Sequence, residues 1–173
     1  LDIEGWPGVD VAAPGPILFT RNSLGKTVLV TGSGGSIVSE LCRQIVAAGA
    51  SRLLMFESSE FALYAIEGEL RNIAKPGVTE VVPLLGSVRD EERVAEVMGV
   101  WRPETVYHAA AYKHVPMVEP NPPEGLANNV LGTRLTAQAA INAGVADFVL
   151  ISTDKAVRPT NVMGATKRFA ELV

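Results

Sequence analysis

The sequence is sparing in the residues that mark several common functions. Cys42 is its single cysteine, so no disulfide can close within the chain and no thiol cluster is available for zinc. A lone thiol suits a reducing cytoplasm, and its place in a predicted helix reads as buried filler without chemistry. His108 and His114 have no partners at metal-ligand spacing, and no metal is expected. No cluster of lysine and arginine relieves the net charge of −4, which argues against a nucleic-acid partner, whose phosphates demand a basic face. No apolar run approaches the roughly 20 residues of a membrane span, and no signal-peptide pattern is present, so a soluble cytoplasmic chain is expected.

What is present is a hydrophobic content of 47% over 173 residues, enough for one core of ordinary domain size. Residues 1–25 carry Pro7, Pro14, Pro16 and four glycines with little periodicity, and read as a linker or N-terminal arm. The domain proper is expected over 26–173. There, short β-branched runs alternate with longer amphipathic stretches. Strands are expected at 27–31, 52–56, 81–85, 105–109 and 147–152, and helices at 36–49, 59–73, 90–99, 123–143 and 162–173. Five β-α units imply a Rossmann-type, doubly wound parallel α/β sheet of order 3-2-1-4-5, with ligands at the carboxyl ends of the strands.

The first strand runs into Gly32-Ser33-Gly34-Gly35-Ser36-Ile37. Glycine there lets the backbone turn tightly and approach a pyrophosphate at the start of the next helix. A plain chain reversal explains isolated glycines equally well. Glu57 ends the second strand, where a carboxylate can accept from adenosine ribose hydroxyls and repel a ribose phosphate. NAD is thereby favoured; Arg52 and Arg71 keep NADP open, and a helix-capping carboxylate is the competing reading.

The segments TGSGGSIVSELCRQI, AAAYKHVPMVEPNP, NNVLGT and STDKAVRPTNVMGATKR together resemble the CapD-like polysaccharide-biosynthesis family of UDP-N-acetylglucosamine 4,6-dehydratases, within the extended short-chain dehydrogenase/reductase superfamily. The resemblance implies a tightly held nicotinamide and a UDP-N-acetylhexosamine substrate that loses water across carbons 5 and 6. It makes Lys155 the carbon-5 base, Asp154 the acid for the departing carbon-6 hydroxyl, and Thr153 a hydrogen-bond partner near carbon 4. Such work calls for a lowered lysine pKa and a raised aspartate pKa. Lys167 would hold the nicotinamide ribose. Met163, one helical turn earlier, takes the place of the superfamily's tyrosine and cannot titrate; without the family it would read as core packing. Ala109 and Ala110 would let the cofactor lie close. Lys113 would contact the nicotinamide ribose or substrate, Asn129 would bind near the nicotinamide or a structural water, and Ser87 with Val88 would lie at the adenine. His114 would line the site, whereas His108 reads as a strand histidine with a satisfied ring.

Three departures from the family pattern stand out. Val38 replaces its third glycine, an expected overpacking of roughly 1–3 kcal/mol that would tilt the helix from the pyrophosphate. Ser87 replaces the usual adenine-binding aspartate. The chain ends six residues past Lys167, so it is expected to be a cofactor-binding portion lacking the sugar pocket, with a homo-oligomer or a missing segment covering Phe169, Leu172 and Val173 and any membrane attachment lying outside it. A UDP-sugar epimerase and a non-catalytic dinucleotide-binding or assembly module are the alternatives. Asp154-Lys155 speaks against the epimerase, which needs no carbon-5 base.

Overall fold

The computed structural model describes residues 23–75 and 77–173; the expected arm lies almost wholly outside the described residues. Five strands, β1 (Thr27–Thr31), β2 (Arg52–Glu57), β3 (Glu80–Leu85), β4 (Thr105–His108) and β5 (Asp147–Leu150), form one parallel sheet in the order β3-β2-β1-β4-β5. This is the expected Rossmann-type order. The chain winds outward through β2 and β3, then returns to place β4 against the other side of β1. The crevice that this reversal opens lies beyond the carboxyl ends of β1 and β4, where Thr31 and His108 are in register.

The strands are apolar on both faces because helices cover both. On one face Val28, Val30, Leu53, Met55 and Tyr107 meet α1 (Ser36–Ala47) and α2 (Glu60–Ile73) through Cys42, Ile45, Leu63, Ile66 and Leu70. On the other, Leu29, Leu54, Phe56 and Val106 meet Val94, Val97 and Met98 of α3 (Glu91–Trp101). Burial pushes the Cys42 thiol up to about 12, which makes it the inert filler expected. Pro83 is tolerated because β3 is an edge strand.

Helix boundaries differ from expectation in instructive places. The first helix stops at Ala47, since Gly49 takes a left-handed φ of 79°. The helix expected over 123–143 is preceded by α4 (Val115–Val118) and divided into α5 (Pro122–Leu126), a π-helical turn over Ala127–Leu131, and α6 (Gly132–Ala143). Its two ends seat on different neighbours. A Cβ on Gly125 would stand 2.7 Å from Val118, and one on Gly132 would stand 2.7 Å from Val88. The π turn, which holds one residue more than an α turn, lies between these two close-packed glycines. Strand β5 ends at Leu150 rather than 152. A short 3₁₀ turn, Asp154–Ala156, then leads to α7 (Val162–Ala170), which ends before the expected 173. Among the described residues no helix is long and apolar enough to cross a membrane.

Candidate functional site

Beyond Thr31 the chain turns at Gly32, whose φ is 71° and where a Cβ would lie 2.8 Å from Ala110 Cα. Only glycine satisfies both the torsion and the approach. Gly34 is constrained from another side, because a Cβ there would run into Ala62 Cβ and stand 3.2 Å from Glu57 Oε2. Gly35 is freer and serves as the residue before α1. That helix begins without a side-chain cap and without an acidic residue in its first turn. By contrast, Ser59, Asp90 and Asn161 cap α2, α3 and α7. The first N–H groups of α1, those of Ser36 and Ile37 among them, are thus left for an anion. The buried Ser33 Oγ at the same turn also lacks a hydrogen-bond partner among the described residues. These features fit a bound pyrophosphate.

Val38 does not overpack. Its side chain is buried beside Cys42 and Ile45, at ordinary contact distance from the Gly35 position, and α1 still starts at Ser36. The expected tilt from crowding is corrected accordingly: the valine fills core space.

Glu57 fastens the turn to α2. Its Oε2 accepts from Gly34 N at 3.0 Å and its Oε1 from Ser59 N at 2.9 Å. The cap of α2 is Ser59, which accepts from Ala62 N, so the carboxylate is not itself the cap. Oε1 also accepts from the Ser58 hydroxyl at 3.3 Å, whereas Oε2 keeps a further lone pair for a hydroxyl. The Ser87 hydroxyl accepts from Arg89 N at 3.2 Å, and Val88 is buried under Gly132.

Ala109 and Ala110 form the wall against Gly32, and both donate their backbone N–H to Thr31 Oγ1, at 3.1 and 3.2 Å. His108, 1% exposed, lies between Thr31 Oγ1 at 2.8 Å and Thr133 Oγ1 at 3.0 Å, which is the satisfied ring expected. Burial first and the Lys167 charge second hold it neutral, with a pKa of about 3. Asn129 departs from expectation. Its amide accepts from Tyr112 N and Asn128 Nδ2 and donates to Tyr112 O and Thr166 Oγ1, at 2.8–3.1 Å. All four of its hydrogen-bonding positions are engaged, so the side chain ties the loop after β4 to α7 and leaves nothing over for a nicotinamide or a water. Lys113 and His114 line an open groove of about 440 Å³ with Tyr112, Met117 and Glu124.

The turn Asp154–Ala156 stands at the end of β5. The Asp154 side chain is 86% exposed and 3.4 Å from Lys155 Nζ. Its carboxyl lies below the usual range, held there first by the Thr153 hydroxyl at 2.9 Å and then by the Lys155 ammonium. The expected raised pKa is therefore corrected: burial is what raises a carboxyl pKa, and this carboxyl has none. Met163 and Lys167 are both buried in α7, and Lys167 Nζ donates to Ile151 O at 2.8 Å. Burial lowers the pKa of Lys167 against the opposing pull of Glu171. Gly164, to which no sequence motif assigns a role, has no room for a Cβ beside Lys155 O, so the glycine seats α7 against the Asp154–Ala156 turn. Thr31 and Thr166 were also missed; only the position of Thr31 directly before Gly32 offered a signal.

Residues 28–173 match a family described as polysaccharide biosynthesis protein. The chain belongs to that family. It is 44% identical over 173 residues to the capsular polysaccharide biosynthesis protein CapD of Staphylococcus aureus, covering all of this chain and 29% of that protein. It is 32% identical over 144 residues to a Campylobacter jejuni UDP-N-acetylglucosamine 4,6-dehydratase (inverting), covering 83% of this chain and 41% of the relative. A UDP-glucose 4-epimerase of Rickettsia felis is 34% identical over 151 residues, with 84% and 42% covered. The chain thus spans well under half the length of these relatives. Among solved structures, Pen from Bacillus thuringiensis superposes with a TM-score of 0.77 at 31% identity, covering 87% of this chain and 44% of that one. The kinship is with nucleotide-sugar dehydratases and epimerases.

Proposed function

We propose that this chain is the dinucleotide-binding portion and catalytic turn of an NAD-dependent UDP-N-acetylglucosamine 4,6-dehydratase serving surface-polysaccharide synthesis in the cytoplasm. The observation that carries the reading is the uncapped start of α1, set in a turn where Gly32 and Gly34 exclude any side chain. The free lone pair of Glu57 Oε2 favours a ribose hydroxyl, and the carboxylate disfavours a ribose phosphate, so NAD is preferred to NADP. When bound, the nicotinamide would take hydride from carbon 4 of the sugar and later return it.

The remaining chemistry falls to the chain. A ketone at carbon 4 acidifies the carbon-5 proton, and Lys155, as the free amine, removes it. Asp154 protonates the carbon-6 hydroxyl as it leaves. In the free chain this carboxyl is exposed and held ionised by Thr153 and Lys155, so it gains its proton once substrate excludes water and Thr153 turns to the sugar. Lys167 holds the nicotinamide ribose. Met163 exchanges no proton, so the carbon-4 hydroxyl proton passes through the Thr153 hydroxyl to the Asp154 carboxylate 2.9 Å away, and it is this proton that Asp154 then gives to the carbon-6 oxygen, leaving Lys155 free for the carbon-5 proton.

The kinship with UDP-glucose 4-epimerases supports a second reading, carbon-4 epimerisation. Calorimetric titration of this chain with NAD and NADP tests the cofactor half, and NAD is expected to bind more tightly. Supplying UDP-N-acetylglucosamine to the longer protein that carries this chain tests the chemistry. Loss of one water by mass spectrometry, abolished by Lys155→Ala, is expected. An epimer of unchanged mass would replace the dehydratase with the second reading, and failure to bind either dinucleotide would leave a non-catalytic module.

A further inference from the structure

The buried hydrogen bonds beneath the glycine turn have a direction. Thr31 Oγ1 accepts the N–H groups of Ala109 and Ala110, which engages both its lone pairs. Its own hydrogen is then committed to His108 Nδ1, 2.8 Å away. Nδ1 is therefore a bare acceptor, and a neutral imidazole must carry its hydrogen on Nε2. From Nε2 the donation continues to Thr133 Oγ1 at 3.0 Å, and from the Thr133 hydroxyl to Asn129 O at 2.7 Å. The Asn129 amide donates to Thr166 Oγ1 at 2.9 Å, and Thr166 to Met163 O at 2.7 Å. Thr166 directly precedes Lys167. The other tautomer would set two donors against each other at Thr31 and two acceptors at Thr133, unless both hydroxyls turned, which would cost Ala110 N–H its acceptor and leave Ala109 N–H only its longer bond to Thr31 O, at 3.3 Å.

We propose that His108, fixed as the Nε2–H tautomer, is a positioning residue of the dinucleotide site. It aims the Thr31 hydroxyl so that the Ala109–Ala110 wall stands against Gly32, and through Thr133 and Asn129 it ties that wall to the helix bearing Lys167. The inference rests on the dinucleotide reading and gives a role to a residue for which that reading has no use. Serine or threonine at 108 would be too short to span from Thr31 to Thr133. Glutamine can do so, offering an oxygen acceptor and an amide donor.

The test compares wild type, His108→Gln, His108→Phe and Leu70→Ala, the last being a core truncation outside the relay. Imidazole ¹⁵N spectra should show Nε2 protonated and Nδ1 bare. His108→Phe should speed amide exchange at Ala109 and Ala110 and weaken NAD binding, each by at least about tenfold, the size expected for one buried hydrogen bond left unmade. His108→Gln should restore both to within about threefold. Leu70→Ala should lose stability yet leave both readings as in wild type. If His108→Phe does not fold, Thr133→Val removes the Nε2 acceptor at nearly constant shape and carries the same comparison. An Nδ1–H tautomer, or unchanged exchange and NAD affinity in the relay variants, would overturn the positioning role alone. A wild-type chain with no NAD affinity is a different outcome, which removes the dinucleotide reading and with it the site that His108 is said to serve.

Discussion

Replacing Lys167 by methionine should change the stability of the fold little while removing dinucleotide affinity. The residue is 5% exposed, and among the described residues its Nζ makes one hydrogen bond, to Ile151 O at 2.8 Å. Losing a charged donor to a carbonyl sacrifices about 1.5–3 kcal/mol. Removing an ammonium held away from water recovers a desolvation penalty of several kcal/mol. Methionine follows much the same path without charge, so the net change at neutral pH should fall between about 1 kcal/mol lost and about 2 kcal/mol gained. The pH dependence supplies an independent check. Burial lowers the folded-state pKa of Lys167 below its ordinary 10.5. Between those two values the unfolded chain binds more protons than the folded one, so wild-type stability gains relative to Lys167→Met as pH rises toward 10. Urea unfolding at pH 7 and pH 10, followed by circular dichroism, measures both effects. A variant more than about 3 kcal/mol less stable at pH 7, or a wild type that loses ground to it as pH rises, would refute the reasoning. NAD affinity should fall at least about tenfold in either case if Lys167 is the proposed donor to the ribose.

Two further substitutions test the turn. Gly32→Ala places a Cβ 2.8 Å from the Ala110 backbone at a φ of 71°; a loss of about 2–4 kcal/mol in chemical denaturation and of measurable NAD binding by calorimetry is expected. Val38→Gly empties a buried core position and puts glycine inside α1; denaturation should show a loss of about 2–4 kcal/mol with NAD affinity little changed, whereas tighter NAD binding would reinstate overpacking by the valine.

The sheet was legible because each strand is a short apolar run between turn signals, and five β-α alternations leave few parallel topologies. The turn at Gly32 was legible because a glycine between a strand and a helix is read from local backbone geometry, whereas the bond that Glu57 accepts from Gly34 N was not, since it joins residues 23 apart. The division of the helix over 123–143 was not, since hydrophobic spacing on either side of the π turn looks helical and nothing local marks one surplus residue. The fate of Asn129 was equally hidden: its partners, Tyr112 and Thr166, lie 17 residues before it and 37 after it. The state of Asp154 depends on exposure, which a dipeptide does not reveal. The resemblance implies the role of an acid for it, whereas the Thr153 hydroxyl and Lys155 ammonium around it hold it in the ionised state.

The π turn over Ala127–Leu131 gives this stretch of chain an unusual intolerance to shortening. An α-helix rotates about 100° for every residue, so deleting one residue there would swing one end by that angle against the other. Gly125 and Gly132 each nestle against a different side chain, so neither end could follow the rotation without lifting out of its seat. Length at this point is under tighter constraint than composition. In homologous chains the segment should accept substitutions freely at its exposed positions while keeping its residue count, and a library of single deletions read out by folding yield should show its sharpest drop here.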